Sequence, residues 1–133
     1  MEKLDERQRA VFEGRNFAHF ASHGEDGYPS VSPVWVDLDG DLVVINTAEG
    51  RRKTENVRRN PRVGISVHEQ DNPYNHVALQ GDVVEITHEG ADAHIDALAK
   101  KYMDAEEYPW RADGEVRVII KVQPDAISSM FVE

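Results

Sequence analysis

The chain is 133 residues long, carries a net charge of −10 and has no cysteine; it can build one domain over residues 1–133, without disulfides, thiol nucleophiles or cysteine-held metals. The acidic balance argues against general nucleic-acid binding, which needs an extended positive surface. No apolar run nears the roughly 20 residues that span a bilayer, and the opening MEKLDERQ is unlike a signal peptide, so a cytoplasmic location away from membranes is expected.

Residues 2–13 alternate charge with Leu4, Ala10, Val11 and Phe12 and predict a short amphipathic helix, with Gly14 as its stop. Residues 16–23, with Phe17 and Phe20 among small neighbours, predict a buried strand, and GEDG at 24–27 a hairpin turn. A second strand is expected over 28–38, with Pro33 forcing an edge or a bulge because it cannot donate to a ladder. Trp35 on this strand reads, from pattern alone, as core or dimer interface rather than ligand contact. The turn at Asp39-Gly40-Asp41 leads to a third strand over 41–47, antiparallel to the second.

Residues 46–67, NTAEGRRKTENVRRNPRVGISV, are the most informative stretch. Gly50 frees the backbone to turn, Arg51, Arg52 and Lys53 open a helix, and Asn60-Pro61 ends it, since the residue before proline avoids helical angles. Cations at a helix N-terminus oppose the helix dipole, a penalty that a bound anion would reverse. Residues 51–62 hold six cations against Glu55 alone, a net +5 within a chain of −10. Two readings follow: a solvated charged face, or an addressed anion site.

A fourth strand is expected over 62–68, a polar loop over 69–75, and a fifth strand over 76–87 with a bulge or bend at Gly81. Ala91, Ile95, Leu98 and Tyr102 at helical spacing predict the longest helix, over 89–102. Residues 104–114 read as irregular, with Trp110 as their one large anchor. Sixth and seventh strands are expected over 116–122 and 126–132, split by Pro124-Asp125. Six or seven short antiparallel strands with a helical crossover describe a small, mainly β barrel. Such a barrel fills its interior with side chains, so a large ligand must lie outside, in a groove where two copies meet.

The six histidines form no metal-binding spacing; His19 and His23 in a strand would stand about 13 Å apart. No Gly-x-Gly-x-x-Gly, Walker or Gly-x-Ser-x-Gly motif occurs, and no catalytic acid, base or nucleophile is marked. An anion cradle on a β-barrel without such groups fits a protein that binds and orients a cofactor which carries the chemistry.

DGYPSVSPVWVDLDGD, the strand ending INT, GRRKTENVRRNPRVGISV and NHVALQGDVVEI together resemble the pyridoxamine-5′-phosphate-oxidase-like split β-barrel family. Within it the closer likeness is to the short branch that uses the deazaflavin coenzyme F420 in place of FMN. The most specific parts are Thr47, Arg52 and Lys53 at their spacing and the Asn-Pro-Arg before the fourth strand. The resemblance implies a homodimer with a cofactor site at the subunit interface and a small-molecule substrate. It implies phosphate capture by Asn46, Thr47, Arg51, Arg52 and Lys53, and a ring laid along Ser32, Pro33, Val34 and Trp35. His76 is either a polar contact to that ring or a surface residue after a loop. Arg58, Arg59 and Arg62 either serve an anionic cofactor tail or are solvated. Ser32 stands where the vitamin-B6 oxidases carry an arginine, and their C-terminal pyridoxal-phosphate motif is absent after Val122, so pyridoxamine oxidation is not expected. The implied activity is hydride transfer between reduced F420 and a small unsaturated substrate; the alternatives are an FMN-binding flavin reductase and a non-catalytic cofactor- or haem-binding module.

Overall fold

The computed structural model describes residues 1–132; the last residue of the expected domain lies outside them. Helix α1 (Glu6–Glu13) begins later than the pattern suggests because its cap is Asp5. The Asp5 carboxylate accepts from the Gln8 amide at 2.8 Å, and the Gln8 side chain accepts from the Asp5 amide at 2.9 Å, a reciprocal capping box. The helix buries Val11 and Phe12 against one end of the sheet.

Strands β1 (Ala18–His23), β2 (Pro29–Val34), β3 (Val36–Asp39) and β4 (Leu42–Ala48) precede helix α2 (Arg52–Arg59). Strands β5 (Arg62–His68) and β6 (His76–Thr87), helix α3 (Ala91–Met103) and strand β7 (Arg117–Met130) complete the chain. The strands form one sheet in the order β2-β1-β5-β6-β7-β4-β3, antiparallel throughout. Its curled interior is filled by Phe20, Val36, Ile45, Val67, Val118 and Ile120, all essentially inaccessible to solvent. The result is the expected mainly β split barrel.

Two expectations are corrected. The strand predicted over 28–38 breaks at Trp35, and its halves become the two opposite edges of the sheet. Alternation continues through the break, so periodicity could not reveal it; the pairing partners, β1 for one half and β4 for the other, impose it. Pro33 does lie on an edge strand, as its missing N–H requires. The predicted sixth and seventh strands are one continuous β7. Pro124 is tolerated inside it because it pairs with Gly81, where the register shifts. A Cβ on Gly81 would lie 2.5 Å from the Gln123 carbonyl oxygen, so the expected bend there depends on glycine.

Helix α3 packs on β7 and β4 and reaches the β3 edge through its last turn. The Tyr102 hydroxyl donates to the Asn16 carbonyl at 2.6 Å and accepts from the Val36 amide at 3.1 Å. Lys101 Nζ donates to the Phe12 and Val36 carbonyls, both at 2.8 Å. These side chains satisfy backbone groups at the β3 edge, in the last turn of α1 and in the segment before β1. Burial pushes the Tyr102 phenol up to about 12. Desolvation pulls the Lys101 ammonium below the usual lysine range, against the opposing pull of Asp37 and Glu13. Phe17, expected inside the first strand, instead precedes it, half exposed and stacked on Tyr102 at 5.5 Å.

Candidate functional site

Helix α2 starts after Gly50, whose φ of 84° permits the turn out of β4. Its N-cap, Arg51, supplies no side-chain acceptor, so the first-turn N–H groups gain no cap from the chain itself. Thr54 secures the turn from beneath, its hydroxyl donating to the Ala48 carbonyl at 2.8 Å. The helix therefore begins firmly held, with Glu55 in its first turn and the Arg51–Glu115 pair at 3.7 Å offsetting only part of the positive charge around it.

Beside this terminus opens a cavity of about 260 Å³. The cationic and polar lining is Arg51, Lys53, Arg117, Asn46 and Thr47, the apolar lining Phe17, Pro33, Val34, Trp35, Ile95, Tyr108 and Trp110. The two meet where the Arg117 guanidinium lies over the Tyr108 ring at 5.1 Å. Among the cations, desolvation first, then the charges of Arg51 and Arg117, pull the Lys53 ammonium below the usual lysine range. Lys53 has neither an ion-pair nor a hydrogen-bond partner among the described residues. The buried Thr47 hydroxyl and Arg117 Nη1 also lack hydrogen-bond partners. Arg117 Nη1 does lie 3.2 Å from Glu115 Oε2, an attraction whose geometry is not that of a hydrogen bond. Converging cations and an orphaned hydroxyl form a standing deficit that a phosphate-like anion would relieve.

Arg117 is aimed by a buried network. Its Nε donates to Asn46 Oδ1 at 2.9 Å, while Asn46 Nδ2 donates to the Ala91 carbonyl at 2.9 Å and faces His94 Nδ1 at 3.1 Å. His94 Nε2 in turn lies 3.7 Å from Asp37 Oδ2, an ionic distance too long for a hydrogen bond. Asp37 is held below the usual carboxylate range, first by His94 and against its own partial burial.

In the apolar lining the indole of Trp35 lies parallel to Tyr102, 5.3 Å away and tilted by 6°. Tyr108 stands edge-on to both Trp35 and Trp110, at 6.1 and 6.0 Å. The segment carrying them is tied to α3, the Tyr108 amide donating to Asp96 at 2.8 Å and Arg111 pairing with Asp92 and Asp96. A flat ring finds aromatic walls here.

Of the residues picked out from sequence, Pro33, Val34, Trp35, Asn46, Thr47, Arg51 and Lys53 line this one cavity. Ser32, opposite Phe20 on β2, is outside the lining. Arg52 points to the other flank of α2, into a hollow shared with Glu25, Tyr28, Glu55 and Arg59. His76 heads β6 opposite His68 and Met130, its Nδ1 3.0 Å from the Tyr74 carbonyl, also outside the lining. Arg58 is taken by both oxygens of Glu49, and Arg59 donates to Asn56 Oδ1 at 2.6 Å. Trp35, read from pattern as core or interface, forms part of the wall. Sequence reasoning missed Arg117, Tyr108 and His94. Arg117 left one trace, a cation near the start of the run VRVIIKV, whose only other charged residue is Lys121.

A curled seven-stranded sheet split at one edge pair, with a pocket lined by cations and aromatic rings, defines a split barrel. The chain belongs to the pyridoxamine 5′-phosphate oxidase family, whose model matches residues 4–131. It is similar to a solved F420 reductase, with 32% identity over 94% of this chain and 98% of that one and a TM-score of 0.83. The fold recurs in a conserved hypothetical protein of Mycobacterium tuberculosis, with 17% identity, coverage of 98% and 89%, and a TM-score of 0.72. It also recurs in General Stress Protein 26 of Bacillus anthracis, with 15% identity, coverage of 94% and 92%, and a TM-score of 0.70. Among the described residues no helix is long and apolar enough to cross a membrane.

Proposed function

We propose that this protein is an F420-dependent oxidoreductase acting on a small, flat, unsaturated substrate. The observation that carries this reading is the convergence of Arg51, Lys53, Arg117 and the unpartnered Thr47 hydroxyl in one aromatic-walled cavity. The 32% identity to an F420 reductase over nearly the whole of both chains supports the choice of cofactor. When bound, reduced F420 supplies a hydride to the substrate. Lys53, Arg51 and Arg117 hold the cofactor phosphate, with the first-turn amides of α2 and the Thr47 hydroxyl completing its shell. Trp35, Pro33 and Val34, with Tyr108 and Trp110, are the residues that would hold the ring and keep water from it.

The cavity falls below the roughly 300–1,000 Å³ usual for small-molecule sites. A second copy completing it, as in a homodimer with the site at the interface, accounts for that shortfall. Arg52 and Arg59, on the far flank of α2, are then available to an extended anionic portion of the ligand. Titrating the protein with F420 and FMN side by side, followed by absorbance and fluorescence, tests the proposal. Tighter F420 binding is expected. Preference for FMN would make the protein a flavin reductase, and a response to haem alone would overturn the oxidoreductase reading.

A further inference from the structure

We infer that His94 and Asn46 form a positioning relay that must be in one protonation state for Arg117 to grip an anion. The inference rests on the proposed anion cradle but concerns residues that touch no ligand.

The Asn46 amide can be oriented only one way. Its nitrogen must face the Ala91 carbonyl, which accepts at 2.9 Å, and its oxygen must face Arg117 Nε, which can only donate, at 2.9 Å. The remaining amide hydrogen points at His94 Nδ1, 3.1 Å away. That nitrogen must therefore be the acceptor, leaving the imidazole neutral with its proton on Nε2, toward Asp37. Protonating His94 sets N–H against N–H₂ inside a buried cluster. The clash is relieved by rotating Asn46, which withdraws the acceptor from Arg117. Arg117 then keeps its ion pair with Glu115 and its stack on Tyr108 but loses the acceptor that fixes its Nε, so its guanidinium is no longer held in place beside Thr47 and Lys53.

The charged groups around this relay come from every element packed on it. They are Asp37 on β3, which faces the imidazole, Lys101 on α3, which acts on Asp37, and Arg117 on β7 with its partner Glu115; Asn46 on β4 is neutral. Neutral His94 and a bound anion therefore support each other, and acidification should release the anion.

Sulfate is the probe, because its charge does not change between pH 5.5 and 7.5, where imidazoles ordinarily titrate, as the charge of a phosphate monoester would. Binding is followed by NMR on the intact protein, with the Arg117 Nε–H resonance as an internal reporter. On going from pH 7.5 to 5.5, wild-type affinity for sulfate should fall about tenfold, the loss expected for one charge-assisted contact. The Arg117 resonance should shift with it, even without sulfate. His94→Gln keeps a side-chain acceptor for the Asn46 amide but cannot titrate, so it should bind like wild type at pH 7.5 and lose the pH response. His94→Leu should bind weakly at both pH values. A pH-independent sulfate affinity and an immobile Arg117 resonance in wild type would overturn the relay while leaving the cradle intact. No sulfate binding at either pH would remove the cradle, and the relay's control of it, even if the Arg117 resonance still titrated.

Discussion

Replacing Lys53 with methionine should move binding and stability in opposite directions. The substitution keeps most of the aliphatic stem and removes the ammonium. In the free protein that ammonium is partly desolvated, close to Arg51 and Arg117, and has no compensating acid among the described residues. Its folded-state pKa is lowered, so the unfolded chain binds more protons in that range. The associated penalty is in full force at neutral pH and is relieved only as pH rises toward the ordinary lysine value of 10.5. Lys53→Met should therefore raise the melting temperature of the free protein at pH 7 and lower its affinity for the phosphate-bearing cofactor. A charge-assisted contact is worth about 1.5–3 kcal/mol, which converts to roughly ten- to over a hundredfold in Kd. Calorimetric titration with F420 and with FMN, alongside thermal unfolding of the free protein, measures both arms. Binding within twofold of wild type would refute the phosphate assignment; a lower melting temperature would refute the claim that the cradle is electrostatically strained.

Thr47→Val should behave in the same sense. It removes a buried hydroxyl without a partner, stabilising the free protein by up to about 1–2 kcal/mol in urea unfolding while weakening cofactor binding. Tyr102→Phe keeps the stack on Trp35 but leaves the Val36 amide unsatisfied, so about 1–3 kcal/mol of stability should be lost in chemical denaturation. Gly81→Ala places a methyl group against the Gln123 backbone and should cost about 1–3 kcal/mol by the same assay. Glu49, which accepts from Arg58 and His88, has its carboxyl lowered to about 2, from 4.5. It contributes stability above pH 4.5 that is lost as pH falls toward about 2, so Glu49→Gln should flatten the acid limb of a stability–pH profile over that range.

Local chemistry made the cradle's main parts legible. Gly50 and Asn60-Pro61 bracket α2, and the run of cations between them states a charge imbalance that no folding pattern can hide. Strand β4 could be read from its contiguous apolar run, and β5 and the first half of β6 from their alternation of buried and less buried residues. The seven residues of the cavity found from sequence lie in two short segments, 33–35 and 46–53, that the family resemblance singled out.

What pairing between distant segments decides was not legible. The break at Trp35 follows from two halves of one apolar run joining different partners, β1 and β4. Arg117 enters the cavity because β4 and β7, some seventy residues apart, align Ala48 with Arg117 and put it on the same face as Asn46. Asn46 illustrates the difference most clearly. Its place beside the cradle could be named in advance, but its amide is fully occupied by Ala91, His94 and Arg117, so it acts by orienting Arg117. The sequence alone determined where charge accumulates and where the chain turns, because those depend on neighbours a few residues away. Only the tertiary structure decided which distant cation, imidazole and aromatic rings share that charge's surroundings, because antiparallel register sets those distances.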